Sequence, residues 1–154
     1  MTANDILRSL RYTLNINDQS MLDIFGLTGY EVSATELATY LLSEDDAHFV
    51  PCNHHTLARF LDGLIIRQRG LQDGKSYEPP KSSLRLSNNM ILKKLRIAFE
   101  LQEDEMLTIM GLAGLNVTKQ ELSALFRKEG HHNYRECGDQ FLRNFLKGLT
   151  VRYR

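Results

Sequence analysis

Apolar side chains recur at helical spacing almost from the first residue of the chain. Ile6, Leu7, Leu10 and Leu14 make one stripe and predict a helix from Asn4 to about Leu14. Asn4 is its candidate cap. A second helix opens near Asn17-Asp18, where an acid suits the exposed N–H groups and the positive end of the helix dipole. Met21, Leu22, Ile24 and Phe25 form its apolar face, and Gly26 and Gly29 mark its end. A third starts at the capping box "SATE", Ser33 to Glu36. There the hydroxyl accepts from the N–H three residues on and the Glu reaches back to the cap's own N–H. Val32 stands just before it, where a hydrophobic staple belongs, and Leu37, Tyr40 and Leu41 face inward. After the polar stretch "SEDDAHFVPCNHH", Leu57, Phe60, Leu61 and Leu64 predict a fourth helix over His54–Arg67. No stretch alternates apolar and polar with the period of two that a strand needs.

The same pattern then starts again. Shifted by 85 positions, residues 4–69 lie over residues 89–154 without a gap, and 23 of the 66 matched positions are identical. "MLDIFGLTGYEVSATELATYLLSED" answers to "MLTIMGLAGLNVTKQELSALFRKEG". Asn89 repeats Asn4, the box "TKQE" from Thr118 to Glu121 repeats "SATE", and Asp139–Arg152 repeats the fourth helix. Such agreement marks a tandem duplication. Between the copies lies "GLQDGKSYEPPKSSLRLSN", residues 70–88. Its glycines and serines mark a linker, and Pro79-Pro80 bars a helix.

Gly63 and Gly148 occupy matched positions inside the fourth helix of each copy. A glycine inside a helix costs about 1 kcal/mol relative to alanine. Its presence in both copies predicts that another helix backbone passes close. The fold expected is all-α: two tandem copies of a four-helix unit related by approximate two-fold pseudosymmetry. The first repeat is 1–69, the linker 70–88 and the second repeat 89–154.

Composition narrows the function classes. Lys+Arg and Asp+Glu are equal at 19 each, yet residues 1–70 carry five Lys/Arg against nine Asp/Glu and residues 71–154 fourteen against ten, so the cations gather in the second half. Two cysteines are too few for a disulfide scaffold. No run approaches the ~20 apolar residues of a membrane span, and the first residues lack the apolar stretch of a signal peptide. A cytoplasmic location without a membrane partner is the resulting expectation.

The stretches "NDILRSLRYTL", "DIFGLTGYEVSATEL", "FLDGLI" and "RQRG", with their second-copy echoes, resemble the YehS-like family of small bacterial proteins. The resemblance covers essentially the whole chain. It implies a helical bacterial protein and carries no catalytic residue across.

Candidate chemistry is sparse. His48, Cys52, His54 and His55 cluster, as do His131, His132 and Cys137, but only the cysteines match between copies and no paired zinc-ligand spacing appears. A small buried cysteine beside solvent-facing histidines is the reading favoured over a metal site or an activated thiol. No nucleophile elbow or phosphate-binding glycine loop is present. The acids Glu44 to Asp46 and Glu103 to Glu105 fall at unmatched positions and suit solvated helix ends. No cofactor is implied, and enzymatic activity is not expected.

The second and third helices outline a helix-turn-helix, but the Gly26 to Val32 connection is long for that motif. Only the second copy supplies Lys119, Arg127 and Lys128 there. A different basic set is common to both copies. Arg11 matches Arg96, Arg67 matches Arg152, Arg69 matches Arg154, and Arg8 matches Lys93. Helix-dipole compensation and internal salt bridges explain such cations structurally. The functional reading is a paired surface for an anionic partner. The protein is thus expected to be a non-enzymatic binding or adaptor module, with nucleic-acid binding through these patches, or through the helix-turn-helix-like element, as the alternative. Protein and nucleic acid are both admissible partners, as is a second copy of the chain.

Overall fold

The computed structural model describes residues 1–71 and 75–154. Eight helices and no strand occur among them: α1 (Ala3–Leu14), α2 (Asp18–Gly26), α3 (Ala34–Leu41), α4 (His54–Arg69), α5 (Asn88–Ala98), α6 (Glu103–Leu112), α7 (Lys119–Leu125) and α8 (Asp139–Tyr153). Helix order is the same in both repeats. Residues 70, 71 and 75–87 contain no helix.

Local chemistry explains most boundaries. Both predicted capping boxes form: Ser33 Oγ and Thr118 Oγ1 each accept from the backbone of the Glu three residues on, at 3.0 Å. Glu36 and Glu121 return the contact. Gly29 and Gly114 take the left-handed backbone (φ +76° and +83°) that turns the chain after α2 and α6. Gly26 and Gly111 end within helical backbone instead.

One assignment needs correcting. Thr2 and Ser87 cap α1 and α5, not Asn4 and Asn89. The asparagines lie two residues further on, buried in the first turn, and each clamps its own repeat shut. Asn4 Nδ2 donates to the carbonyls of Tyr40 and Val50 at 3.0 and 2.9 Å, and its Oδ1 accepts from Cys52 N–H at 2.9 Å. Asn89 does the same with Leu125, Arg135 and Cys137 at 3.0, 2.9 and 2.9 Å. Two backbone groups of an irregular loop and one carbonyl from the last turn of α3 or α7 thereby find partners.

The repeats interlock. α1 packs on α8 of the other repeat, and α4 packs on α5, while α2 lies on α4 and α6 on α8. The α1–α8 pair runs parallel. The Met1 ammonium meets Asp139 Oδ2 at 3.0 Å at one end, and Arg154 Nη1 meets the Tyr12 carbonyl at 2.7 Å at the other. In the matched α4–α5 pair the Leu86 N–H donates to His54 Nδ1 at 2.9 Å. A charged donor faces a carboxylate in one pair, and a neutral donor faces an imidazole in the other. Thr13 and Thr150 share a 2.6 Å hydrogen bond across α1–α8. Ala98 and Ile65 stand at the matched positions of α5 and α4, so this hydrogen bond has no counterpart there.

Both interior glycines lie where a helix backbone approaches. A Cβ on Gly63 would stand 2.2 Å from the Ile24 carbonyl oxygen, and one on Gly148 2.2 Å from that of Ile109. α2 therefore rides directly on α4, and α6 on α8, with room for hydrogen only.

Candidate functional site

The eight matched cations divide by what they touch. Arg8 donates to the Leu42 carbonyl after α3 and pairs with Asp5. Partial burial opposes ionisation of Asp5. The Thr2 N–H and hydroxyl and the Arg8 guanidinium outweigh it and hold the carboxyl below the usual aspartate range. Arg11 bridges to Asp18 at the start of α2, 3.0 Å away. Arg96 donates to the Leu101 carbonyl at 3.1 Å and lies 4.7 Å from the centre of the Phe126 ring. Arg152 pairs with Glu105 at 3.0 Å. Arg154 donates to Tyr12 and Asn15 and lies 3.8 Å over the Tyr12 ring. Five of the set thus fasten a helix end or an inter-repeat seam.

Arg67, Arg69 and Lys93 are exposed and form no ion pair among the described residues. Arg67 lacks its counterpart's partner because Ser20 stands where Glu105 does in the second repeat. The fold also groups the cations across the repeats. Arg154 of the second repeat reaches the Tyr12 carbonyl beside Arg11, at the joined ends of α1 and α8.

A different cationic surface emerges when the repeats are compared position by position. Segment 34–50 contains Glu36, Glu44, Asp45 and Asp46 and no Lys or Arg. The matched segment 119–135 contains Lys119, Arg127, Lys128 and Arg135 against Glu121 and Glu129. Formal charge therefore changes from −4 to +2 on the same scaffold. All four cations are exposed and none forms an ion pair among the described residues. Lys93 joins them across a concavity of about 310 Å³ floored by Leu125 and Phe126. A second concavity of about 430 Å³ lies between Lys119 and Asn133, and Arg127 borders both. The loop beyond holds its backbone in place. Arg135 N–H donates to Ala124 at 3.0 Å and its carbonyl accepts from Asn89 at 2.9 Å, so the guanidinium projects from a fixed point. His131 and His132, both exposed, stack on each other with centroids 4.5 Å apart and planes 21° apart.

A further group was not legible in the sequence. Arg59 on α4 is buried, with Nε and Nη2 donating to Thr28 Oγ1 and O at 3.1 and 2.6 Å. Its guanidinium lies between the Tyr30 and Tyr77 rings, 4.9 and 5.4 Å from their centroids. Tyr77 donates to Asp62 at 2.6 Å, and Asp62 also holds Lys94 of α5. Burial, then the Asp62 carboxylate, pushes the Tyr77 phenol well above the usual tyrosine range. This set fastens the inter-repeat segment onto α4. Its second-repeat counterparts are Ala113, Leu115 and Asn144, which cannot form the same set. Beside it a cavity of about 340 Å³ is lined by Ile65, Ile66, Arg69, Leu71 and Tyr77.

Cys52 and Cys137 are buried. Desolvation pushes their thiols up to about 12 and about 11, the reverse of what an activated nucleophile needs. Among the described residues no group of three His, Cys, Asp or Glu is arranged to hold a metal ion, and no helix is long and apolar enough to cross a membrane.

Comparison with known proteins agrees with this architecture. The "Uncharacterized protein YehS" of Escherichia coli (strain K12) is 43% identical over 152 residues, covering 99% of this chain and 96% of that protein. No solved structure matches the chain. The family described as "Protein of unknown function (DUF1456)" matches in two segments, residues 3–70 and 88–154, one for each repeat. The chain therefore belongs to the DUF1456 family of unknown function, built from a duplicated helical unit.

Proposed function

We propose that the protein is a non-enzymatic, cytoplasmic binding module that engages nucleic acid through the basic face of its second repeat. The observation that carries this reading is the charge difference between matched segments. Segments 34–50 and 119–135 fold alike, and the first does so with no cation at all. Lys119, Arg127, Lys128 and Arg135 are therefore not required by the scaffold. Lys93, Lys119, Arg127 and Lys128 line two concavities that share Arg127, Arg135 follows in the same segment, and all five are exposed without an ion pair among the described residues. Such a surface is an electrostatic footprint for phosphate.

An acidic protein offers the same charge, but the exposed rings interleaved with the cations favour nucleotides, whose bases have faces to stack on. Arg67 and Arg69, exposed at the end of α4, would add to the footprint if a long polyanion wraps the molecule.

The test is fluorescence anisotropy with labelled oligonucleotides, titrated between about 50 and about 200 mM salt. Wild-type affinity should fall steeply with salt. Arg127→Ala/Lys128→Ala should weaken binding and flatten the slope by roughly 1.4, about 0.7 per lost contact on a single strand. Its melting curve should match wild type, since neither side chain has an internal partner among the described residues. Salt-independent affinity, or an unchanged slope in the variant, refutes the reading.

A further inference from the structure

We infer that the ligand of this basic face is single-stranded nucleic acid, held with its phosphates along Lys128, Arg127 and Arg135 and a base stacked on the His131–His132 pair. The inference rests on the basic-face reading above and deepens it.

Duplex reading by α7 fits poorly. The helix has seven residues, about 10 Å at 1.5 Å per residue. A recognition helix presents its N-terminal residues to base edges in the groove. In α7 that end carries Glu121, whose carboxylate is committed to the Thr118 N–H. Of the four cations only Lys119 stands at that end; Arg127, Lys128 and Arg135 lie in the loop after α7.

That loop has what a single strand requires. His131 and His132 are exposed and already stacked face to face, so a base laid on the outer ring continues an existing stack. The Asn133 N–H donates to His131 Nδ1 at 3.0 Å and fixes the ring's orientation. Lys128 and Arg135 stand on either side of the pair in sequence, and Arg127 stands between two concavities. The first repeat has Asp46 and Ala47 in place of the histidines and Val50 in place of Arg135. The cations and the adjacent histidine pair are therefore absent together from one copy, which retains only the single His48 and Phe49 there, and present together in the other, as expected if they serve one ligand. Paired bases turn their edges, not their faces, to a protein, so a stacking platform selects unpaired ones.

Anisotropy titrations of the full chain would use RNA and DNA single strands, a DNA duplex of equal length, an abasic DNA strand and inorganic polyphosphate. The single strands should bind at least tenfold more tightly than the duplex and the abasic strand. His131→Ala/His132→Ala should lose about tenfold in single-strand affinity at unchanged salt slope, because a stack is removed and no phosphate contact. RNA and DNA arms that agree indicate stacking plus phosphate alone, and a tighter RNA arm adds recognition of the 2′-hydroxyl. Equal or tighter duplex binding, an abasic strand bound as well as an intact one, or a histidine variant indistinguishable from wild type overturns the single-strand inference. The basic-face reading survives those results if Arg127→Ala/Lys128→Ala still flattens the slope. Failure of every nucleic acid and of polyphosphate to bind overturns both.

Discussion

Replacing Gly63 with alanine tests how α2 meets α4. The added Cβ would lie 2.2 Å from the Ile24 carbonyl oxygen, 2.9 Å from its carbonyl carbon and 2.9 Å from its Cγ2. A comfortable carbon–oxygen contact is about 3.3 Å or more, so α2 must move by about 1 Å relative to α4. The obstacle is backbone, which cannot rotate away as a side-chain tip can. Overpacking of a filled interior typically costs ~1–3 kcal/mol, occasionally more, and a backbone collision belongs at the upper end. Alanine returns ~1 kcal/mol through its better helix propensity. The net expectation is a loss of about 2 kcal/mol, or a melting temperature lower by about 4–8 °C for a chain of this size. Gly111→Ala is the control: nothing lies within 4 Å of its added Cβ and its φ is not left-handed. It should be neutral or slightly stabilising in the same urea titration. A Gly63→Ala midpoint equal to that of Gly111→Ala would refute the close-contact argument.

Two other consequences concern buried polar groups. Asn4→Ala strands the Cys52 N–H and the Tyr40 and Val50 carbonyls. At ~1–3 kcal/mol for each unsatisfied group, the loss should be about 3 kcal/mol or more, with faster hydrogen exchange at the Cys52 amide. Unchanged exchange there would mean the clamp is not formed. The thiols of Cys52 and Cys137, raised to about 12 and about 11 by burial, should resist alkylation at pH 8 until the protein is unfolded. Because an unfolded thiol ionises near about 8.5, unfolding releases protons above that pH. Stability should therefore fall as pH rises from about 8.5 towards the folded values. Rapid labelling of the native protein at pH 8 would contradict both statements.

The helices were legible because each carries its own signal: a period near 3.6, a box such as Ser33–Glu36, a glycine such as Gly29 at the turn. The glycines inside α4 and α8 were legible for a different reason, since duplication isolates a residue that helix propensity disfavours. What the sequence hid was long-range. Asn4 has the composition of a cap, and only the return of Val50 and Cys52 to α1 reveals it as a clamp. Arg59 gave no sign of burial, because its partners come from two distant segments, Thr28 and Tyr30 after α2 and Tyr77 between the repeats. The exchange that puts α1 on α8 likewise depends on tertiary packing that no local pattern encodes.

Duplication also reverses a common inference about shared residues. Both repeats must fold and must meet the other's first and fourth helices, so every requirement of the scaffold applies twice. Gly63 and Gly148, Asn4 and Asn89, and the two capping boxes are such requirements, and each has a packing or hydrogen-bonding task in the structure. Five of the eight matched cations also have internal partners. A partner bound once per chain imposes no second copy of its contacts. Its residues are free to differ between the repeats, and the larger the difference at exposed positions, the less the scaffold can account for it. By that criterion the reversal of charge between segments 34–50 and 119–135 outranks the matched arginines as a guide to what the molecule binds. A reciprocal experiment follows from the same logic. Transplanting Arg127, Lys128, His131 and His132 onto Leu42, Ser43, Asp46 and Ala47 should leave the fold intact, because only Leu42 is not already exposed, and should create a second, weaker site. A transplanted protein that melts as wild type and binds no additional nucleic acid would show that these four residues are insufficient without Lys93 and the concavity beside it.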